Sequence, residues 1–256
     1  KAGDVLLTVV LITAICIFCY AAYNLYHIYT EYKKGSDEYN AIAQMAVTER
    51  DPDQDAQEQE PAGPEGPTLK APMDIDFDSL RSINTDVIGW IYVEALDGVS
   101  YPVVRGTDND QYLHMTYEKN YNFAGTIFID YENKADFSDC NTLVYGHNMK
   151  SGMMFGELKK YLDEDFYNAH KTIEFNTLYE RGVYEVIEVG LSEVQYQDEN
   201  VFRYYNFLNA DSEEEYQEYL NNVAQLSVYG TEIDSIYGDQ LLTLSTCNNY
   251  TQDGRM

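Results

Sequence analysis

The sequence predicts a mainly β domain with a few peripheral helices, preceded by a transmembrane helix. Two observations predict the domain. Short apolar segments with strand-like composition recur along the chain and few amphipathic segments separate them, and the 25 tyrosines favour β structure. The third observation is a long apolar run close to the N-terminus. A chain of 256 residues has room for one anchor and one domain that buries its own core.

The apolar run, residues 5–22, predicts the anchor. Its 18 residues contain almost no polar side chain, and as a helix they span about 27 Å, close to the hydrocarbon thickness of a bilayer. Tyr20, Tyr23 and Tyr26 at one end are typical of a membrane interface. The alternative is a cleaved signal peptide, but its apolar region is usually shorter and no small-x-small cleavage site follows. We expect an uncleaved helix.

Three regions follow from composition. Residues 1–30 form the anchor helix and its flank, 31–72 form a juxtamembrane segment and an acidic linker, and 73–256 form the folded domain. Residues 24–48 have mixed polarity and can continue the anchor helix. Residues 51–60 carry five acids and no base, and a stretch rich in Pro and Gly follows. Such a linker buries too little apolar surface to fold, so we expect it to be extended.

The elements of the domain are predicted in chain order from caps and periodicity. Asp76 or Asp78 begins a short helix that reaches Ile83, and Thr107 or Asp108 begins one with Tyr112 and Met115 on one side. Residues 155–162 and 211–226 are further helices, the second clearly amphipathic. The predicted strands are 88–93, 101–104, 125–129, 142–145, 172–175, 182–194 and 241–246.

Charge and cysteine usage exclude several functions. The formal charge of −28 argues against a nucleic-acid partner and against broad contact with anionic lipid. Cys16 and Cys19 lie inside the apolar run and are interpreted as small hydrophobic residues. Cys140 and Cys247 can in principle pair, but so few cysteines make no disulfide framework, which favours a free thiol at Cys247. Without paired metal-ligand spacings or a Gly-rich phosphate loop in the folded part, we expect no metal and no cofactor.

Three side chains with chemical potential follow apolar segments near strand ends. Cys247 ends the run TLSTC, His147 follows a strand and Gly146, and Arg255 follows a polar loop. If that loop reverses the chain, Arg255 opens a strand antiparallel to that of Cys247. A thiol, an imidazole and a guanidinium are the minimum set for a covalent cysteine enzyme acting on an amide. The competing interpretation is a buried Cys, a rim His and a solvated Arg. The other histidines, His27, His114 and His170, are interpreted as surface or interface residues.

These motifs resemble those of the sortases, class B. TLSTC at 243–247 matches the family's TLxTC motif, and YGHNM at 145–149 is similar to its histidine segment. The stretches 84–91, 101–104, 108–113 and 122–130 are also similar, and the helix at 211–226 resembles the extra helix of class B. The resemblance covers residues 74–256 and implies a closed β-barrel with peripheral helices. The chain stops at Met256, where the family continues into a last strand, so we expect that strand to be truncated.

The resemblance also implies roles for individual residues. Cys247 matches the nucleophile, His147 the general acid and base, and Arg255 the arginine that stabilises the oxyanion. A second set matches positions that line the substrate groove: Tyr145, Ser245, Thr246, Asn109 and Leu113.

The function implied is that of a membrane-anchored, extracellular cysteine transpeptidase. It would cleave an LPxTG- or NPxTx-like sorting motif of secreted proteins through a thioacyl intermediate and pass the protein to a peptidoglycan amine. Two alternatives remain open. One is another cell-wall cysteine peptidase or an L,D-transpeptidase, which needs the same Cys and His. The other is a non-enzymatic, tethered surface protein that binds partners through its Tyr-rich face.

Overall fold

The computed structural model describes residues 2–49, 73–96, 99–193, 201–231, 233–247 and 254–256. Two compact units divide the chain, residues 1–40 and residues 41–256. The predicted acidic linker, residues 49–72, lies outside the described residues apart from Glu49.

The first element, α1 (Ala2–Ala46), is one continuous helix of 45 residues. The helix that begins with the apolar run therefore continues through the mixed-polarity segment up to Ala46, an extension that the sequence allowed. Apolar side chains on all sides of its N-terminal half are exposed, Leu7 and Phe18 among them. Within the described residues it is the one helix long and apolar enough to cross a membrane, and a helix that is apolar all round is typical of a membrane span.

A seven-stranded mixed sheet forms the centre of the domain and curls into a nearly closed barrel. The mainly β barrel predicted from the sequence is confirmed by this sheet. Two strands come before it in the chain, β1 (Val47–Glu49) and β2 (Met73–Ile75), and they pair with each other antiparallel. The strands of the sheet are β3 (Val87–Tyr92), β4 (Ser100–Arg105), β5 (Ile127–Ile129), β6 (Asn141–Tyr145), β7 (Thr172–Thr177), β8 (Arg181–Glu185) and β10 (Leu241–Ser245).

The order of these strands, β10-β6-β5-β4-β3-β7-β8, is what positions the site. β4 pairs parallel with β5 and β10 pairs parallel with β6, while the other neighbours are antiparallel. Trp90, Ile91 and Leu143 are completely buried in the core. Outside the sheet, β9 (Ser192–Glu193) pairs antiparallel with β11 (Gly254–Arg255).

Each α-helix of the domain begins at a side-chain cap, and the cap of the first is one that the sequence predicted. In α2 (Phe77–Ile83) the Asp76 carboxylate accepts from the Ser79 backbone N–H at 2.9 Å. A short helix, α3 (Glu164–Ala169), follows a 3₁₀ turn over Leu158–Leu162. In α4 (Glu213–Ala224) Ser212 caps the first turn, and Tyr216 and Tyr219 are buried. A second 3₁₀ turn spans Tyr204–Asn206.

Three predicted elements are wrong in type or extent. Residues 107–115 form turns and bends instead of a helix, although the Asp108 carboxylate accepts from the backbone N–H groups of Asp110 and Gln111 as a helix cap would. The carbonyls at positions 112 to 114 bond to partners outside the segment, so they do not continue a helix. The predicted helix at 155–162 is only the 3₁₀ turn that begins at Leu158. The long strand predicted at 182–194 is interrupted after Glu185. There the backbone leaves the sheet to bond the segment after α4, with Leu226 and Val228 as partners of Leu191 and Val189.

The edge strands β8 and β10 both line an elongated cavity of about 670 Å³. Apolar side chains of α4 and β10, such as Leu220, Val223 and Leu242, form part of its wall. Tyr204 and Arg255 also line it, whereas Cys247 and His147 do not. The cavity therefore follows the seam between the two edge strands of the barrel.

Candidate active site

The parallel pairing of β6 with β10 brings Cys247 and His147 together. The ladder runs from Leu241 opposite Asn141 to Ser245 opposite Tyr145, so both strands leave the sheet at the same end. Cys247 and His147 each lie two residues beyond the last pair of this ladder. The contact continues past the strands, because Asn148 Nδ2 donates to the Cys247 carbonyl at 2.8 Å.

Close packing around position 146 favours a glycine there. A Cβ atom at this position would lie 2.4 Å from Ile127 Cδ1 and 2.7 Å from Phe155 Cδ2. Thr246 Oγ1 donates to the Gly146 carbonyl at 2.7 Å, which ties the His147 strand end to the Cys247 strand end. The tight exit predicted from the sequence thus has a steric cause: a larger residue would displace the backbone that carries His147.

Cys247 is a free, exposed thiol with Arg255 beside it. An antiparallel bridge joins the two residues, and the flanking Thr246 and Met256 exchange backbone hydrogen bonds of 2.8 and 2.9 Å. Cys247 and Arg255 are therefore a non-hydrogen-bonded pair of this antiparallel ladder. In such a pair the Cα atoms are about 4.5 Å apart and both side chains lie on the same face. The loop between them lies outside the described residues, but the antiparallel relation expected from the sequence is present.

His147 is half-buried, and its ring is held from two sides. Nε2 lies 2.8 Å from the Leu113 carbonyl oxygen, which can only accept, so Nε2 carries a hydrogen and Nδ1 is the nitrogen left for proton exchange. The ring also stacks on His114. Burial, helped by the charge of His114 and opposed by the Leu113 carbonyl, holds the pKa of His147 below its usual value. Neutral imidazole is thus the main form of His147 near pH 7.

Two predicted groove residues, Asn109 and Tyr145, meet on one buried carboxylate. Asn109 Nδ2 donates to Asp130 Oδ2 at 2.9 Å, and the Tyr145 hydroxyl donates to the same oxygen at 3.0 Å. The backbone N–H of Tyr131 donates to Asn109 Oδ1. Burial, with the adjacent carboxylate, raises the pKa of Tyr145. Sequence reasoning missed Asp130; the available signal was an acid directly after the apolar strand β5.

The remaining groove candidates use their polar atoms inside the fold. Ser245 and Thr246 are buried. The Ser245 hydroxyl hydrogen-bonds the Tyr204 hydroxyl at 2.7 Å, and that of Thr246 bonds Gly146 as described above. Leu113 contributes its carbonyl to His147 and keeps a half-exposed side chain.

Tyr204 and Tyr205 are neighbours of the site that the sequence did not single out. Tyr204 is buried, and its ring meets that of Tyr205 edge to face at 5.3 Å. Burial raises the pKa of Tyr204, whereas its bond to Ser245 and the nearby charge of Arg255 lower it. An aromatic pair in a connecting segment was the only signal in the sequence.

The described residues contain no group of three or more His, Cys, Asp or Glu side chains arranged to hold a metal ion. The chemistry available at these strand ends is that of a thiol, an imidazole and a guanidinium. Such a set can carry out nucleophilic acyl transfer.

Comparisons with known proteins agree with this geometry. The family model described as "Sortase domain" matches residues 91–256. Sortase B of Listeria monocytogenes is 37% identical over 182 residues, which cover 69% of this chain and 70% of that protein. The solved Staphylococcus aureus sortase B–substrate complex superposes with a TM-score of 0.68 at 27% identity, covering 88% of this chain and 94% of that one. A solved sortase B complexed with Gly3 superposes with a TM-score of 0.61 at 30% identity, covering 70% of this chain and 81% of that one.

Proposed function

This chain belongs to the sortase family, class B, whose members are cysteine transpeptidases, and we propose that Cys247, His147 and Arg255 carry out its reaction. The observation that carries the proposal is the parallel register of β6 and β10, which puts the thiol and the imidazole at adjacent strand ends. Arg255 is bridged to Cys247 on the same face.

The first half of the reaction is acylation of the thiol. Cys247 gives its proton to Nδ1 of His147, and the sulfur attacks the carbonyl carbon of the scissile amide. The tetrahedral intermediate collapses when His147 passes that proton to the leaving nitrogen. The C–N bond breaks, the amine product leaves, and a thioester joins the substrate to Cys247.

The second half transfers the acyl group to an amine. His147, now neutral, accepts a proton from the incoming amine as its nitrogen attacks the thioester carbonyl. The C–S bond breaks and the proton returns to the sulfur, so thiol and imidazole regain their starting forms. A lowered pKa suits His147 to this step, because a base must be unprotonated when the amine arrives.

Arg255 would stabilise the oxyanion in both halves. Its side chain lies on the same face as the thiol, so a substrate carbonyl attacked by sulfur develops its negative charge within reach of the guanidinium. A positive group placed where charge develops, with little water around it, is commonly the largest single contribution to such a rate.

The substrates we propose are a sorting motif of LPxTG or NPxTx type and an amine of a peptidoglycan precursor. Two relatives support the classes: one solved structure is a sortase B–substrate complex and another holds Gly3, a peptide with a free amine. Asn109 and Tyr145, gathered on Asp130, would form one wall of the motif groove.

Detection of the thioester on the full chain in detergent micelles tests the catalytic assignment. LPxTG-, NPxTx- and PPxTG-type peptides are added in turn, and intact mass is read with and without triglycine. We expect an adduct on Cys247 with one peptide and its release by the amine. Cys247→Ala should give none, and His147→Ala and Arg255→Ala should slow its formation by about 10²-fold or more.

The matched control is Cys140→Ala, which removes the other cysteine of the domain, half-buried and outside the site. It should leave the adduct intact. Absence of an adduct with every peptide, from a protein whose Cys247 is readily alkylated, would reject sorting. The alternatives would then be a cysteine peptidase of different specificity or a binding protein.

We further propose that α1 anchors the enzyme in the membrane once, with the domain outside the cell, since its apolar half has the length and composition of a span. Tethering raises the local concentration of substrates that emerge from the same membrane. Leu11→Arg places a charge within the span at a cost of about 3 kcal/mol. It should shift the protein from the membrane pellet to the alkaline-carbonate supernatant, while Asn40→Arg stays in the pellet. A pellet for both would argue against the span.

A further inference from the structure

His114 lies flat against the imidazole of His147. The ring centroids are 5.6 Å apart and the planes differ by 14°. We propose that His114 is a positioning residue: its ring fixes the orientation of His147, and its charge sets the pH range in which His147 exchanges protons. This inference rests on the role given to His147 in the proposed function. The sequence indicated a surface or interface histidine within a predicted helix; His114 is exposed, but it lies in a bend and its ring stacks on that of His147.

The segment that carries His114 is held firmly. Asn122 N–H donates to the His114 carbonyl at 3.0 Å, and Met115 forms an antiparallel bridge with Tyr121. The Tyr121 ring lies 6.3 Å from that of His114 on this hairpin. The same segment supplies the Leu113 carbonyl that binds His147 Nε2. Two consecutive residues therefore control His147, one through a hydrogen bond and one through ring contact.

Orientation matters because only Nδ1 is left for proton exchange. With Nε2 bound to Leu113, the ring can still tilt about that hydrogen bond, and a tilt moves Nδ1 relative to Cys247. The flat face of His114 restricts this motion. Misplacement of a catalytic group by about 1 Å can lower a rate by about 10²-fold, so loss of the stacking partner should lower kcat without removing any atom that touches substrate.

The two rings also interact through charge. Tyr121 contacts His114, and Cys247 lies on the strand end adjacent to that of His147, where its carbonyl accepts from Asn148. Among the described residues, neither imidazole forms a hydrogen bond or ion pair with a carboxylate. A proton on one ring is therefore opposed by a proton on the other, with no counter-charge between them.

Three substitutions separate the two effects. His114→Phe keeps a flat ring and removes the charge, His114→Gln removes both ring and charge but stays polar, and His114→Ala removes both with loss of volume. His170→Gln is the matched control, since that exposed histidine contacts Phe166 at the end of α3. The full chain in detergent micelles, labelled at histidine, gives the titration of His147 by NMR without any peptide. The rate of triglycine transfer is measured from pH 5 to 9.

We expect the pKa of His147 to rise in His114→Phe and His114→Gln, because the opposing charge is gone, and to stay unchanged in His170→Gln. We expect kcat to fall about tenfold in His114→Ala, to remain within about twofold of wild type in His114→Phe, and KM to stay constant throughout. The acid side of the pH–rate profile should move with the pKa of His147.

The proposal is overturned if the pKa of His147 is the same in wild type, His114→Phe and His114→Gln. It is also overturned if His114→Phe is as slow as His114→Ala. A shifted pKa in a protein that acylates no peptide would leave the coupling of the two rings standing and reject only the proposed function. The two hypotheses therefore fail in different measurements.

Discussion

Ser245 and Tyr204 share a hydrogen bond of 2.7 Å two residues before Cys247, and both side chains are buried. Ser245→Ala leaves the Tyr204 hydroxyl without this partner. A buried polar group that loses its hydrogen bond destabilises a protein by about 1–3 kcal/mol. We expect Ser245→Ala to lower the free energy of unfolding by that amount in urea titrations of the full chain in micelles.

The double variant Ser245→Ala/Tyr204→Phe is the control for this prediction. It removes both hydroxyls, so no buried donor is left unpaired, and it should be more stable than Ser245→Ala alone. Additive losses from the two single substitutions would show that the hydrogen bond contributes little.

At the level of residues, the sequence indicated those candidate site residues that belong to short contiguous motifs. Cys247 and His147 were singled out because each belongs to a short motif that follows a strand, and Arg255 because it follows a polar loop after Cys247; their catalytic roles remain predictions. Asp130 and His114 were missed as parts of the site, because their significance comes from contacts that cross the sequence. Asp130 binds Asn109 from 21 positions away, and His114 meets His147 only after two loops have folded together.

The turn that ends in β5 depends on Gly125, which adopts a φ of +61°. A Cβ atom there would lie 2.4 Å from the Leu113 carbonyl oxygen, the atom that binds His147. Gly125→Ala combines an unfavourable φ with a backbone clash, and we expect it to destabilise the protein by about 1–3 kcal/mol. It should also lower kcat, because the hydrogen bond that fixes His147 Nε2 moves.

Gly230→Ala is the matched control, since a Cβ atom at Gly230 would have nothing within 4 Å. Its unfolding free energy should lie within about 0.5 kcal/mol of wild type. Equal stability and equal kcat for both variants would contradict the role given to the Leu113 carbonyl.

Among the elements, those with independent local signals were predicted well. Helix α4 has a cap at Ser212, acids in its first turn and a stripe of tyrosines, and all three point to one helix. The segment at 107–115 had a cap-like Asp108 as well, but that carboxylate serves a turn. Nor did the alternation in 182–194 reveal that Gly190 would bridge Ser227 across the molecule.

The stability of the whole domain should depend on one buried carboxyl group in the barrel wall. Glu174 on β7 is only 8% exposed, and burial, helped by the nearby Glu94, raises its pKa to about 7. Its folded pKa exceeds the unfolded value, so the folded state binds more protons between about pH 4.5 and 7. Stability is then lost as pH rises through that range, by an amount on the order of 2 kcal/mol.

Glu174→Gln removes this titration. We expect the variant to be more stable than wild type at pH 8 and no more stable at pH 4.5, as measured by urea unfolding at both values. Glu185→Gln on the exposed side of β8 is the control and should follow wild type. A wild-type advantage at pH 8 would show that the ionised carboxylate is stabilised in the fold.

For the molecule as a whole, composition and motifs predicted the long apolar helix, the strand-rich domain and its barrel. The neighbours in the sheet were not predictable from periodicity, because alternation identifies a strand and not its partner. The parallel contact between β6 and β10 is such a case.

That contact also has a consequence for how the protein folds. The paired positions in β6 and β10 are 100 residues apart, so closing this loop is entropically slow and follows the formation of local hairpins such as β7–β8. We therefore expect Cys247 to reach His147 only in a late step of folding. During refolding from urea, the return of peptide cleavage should lag behind the recovery of tyrosine fluorescence. The rate at which activity returns would then report how fast β10 pairs with β6.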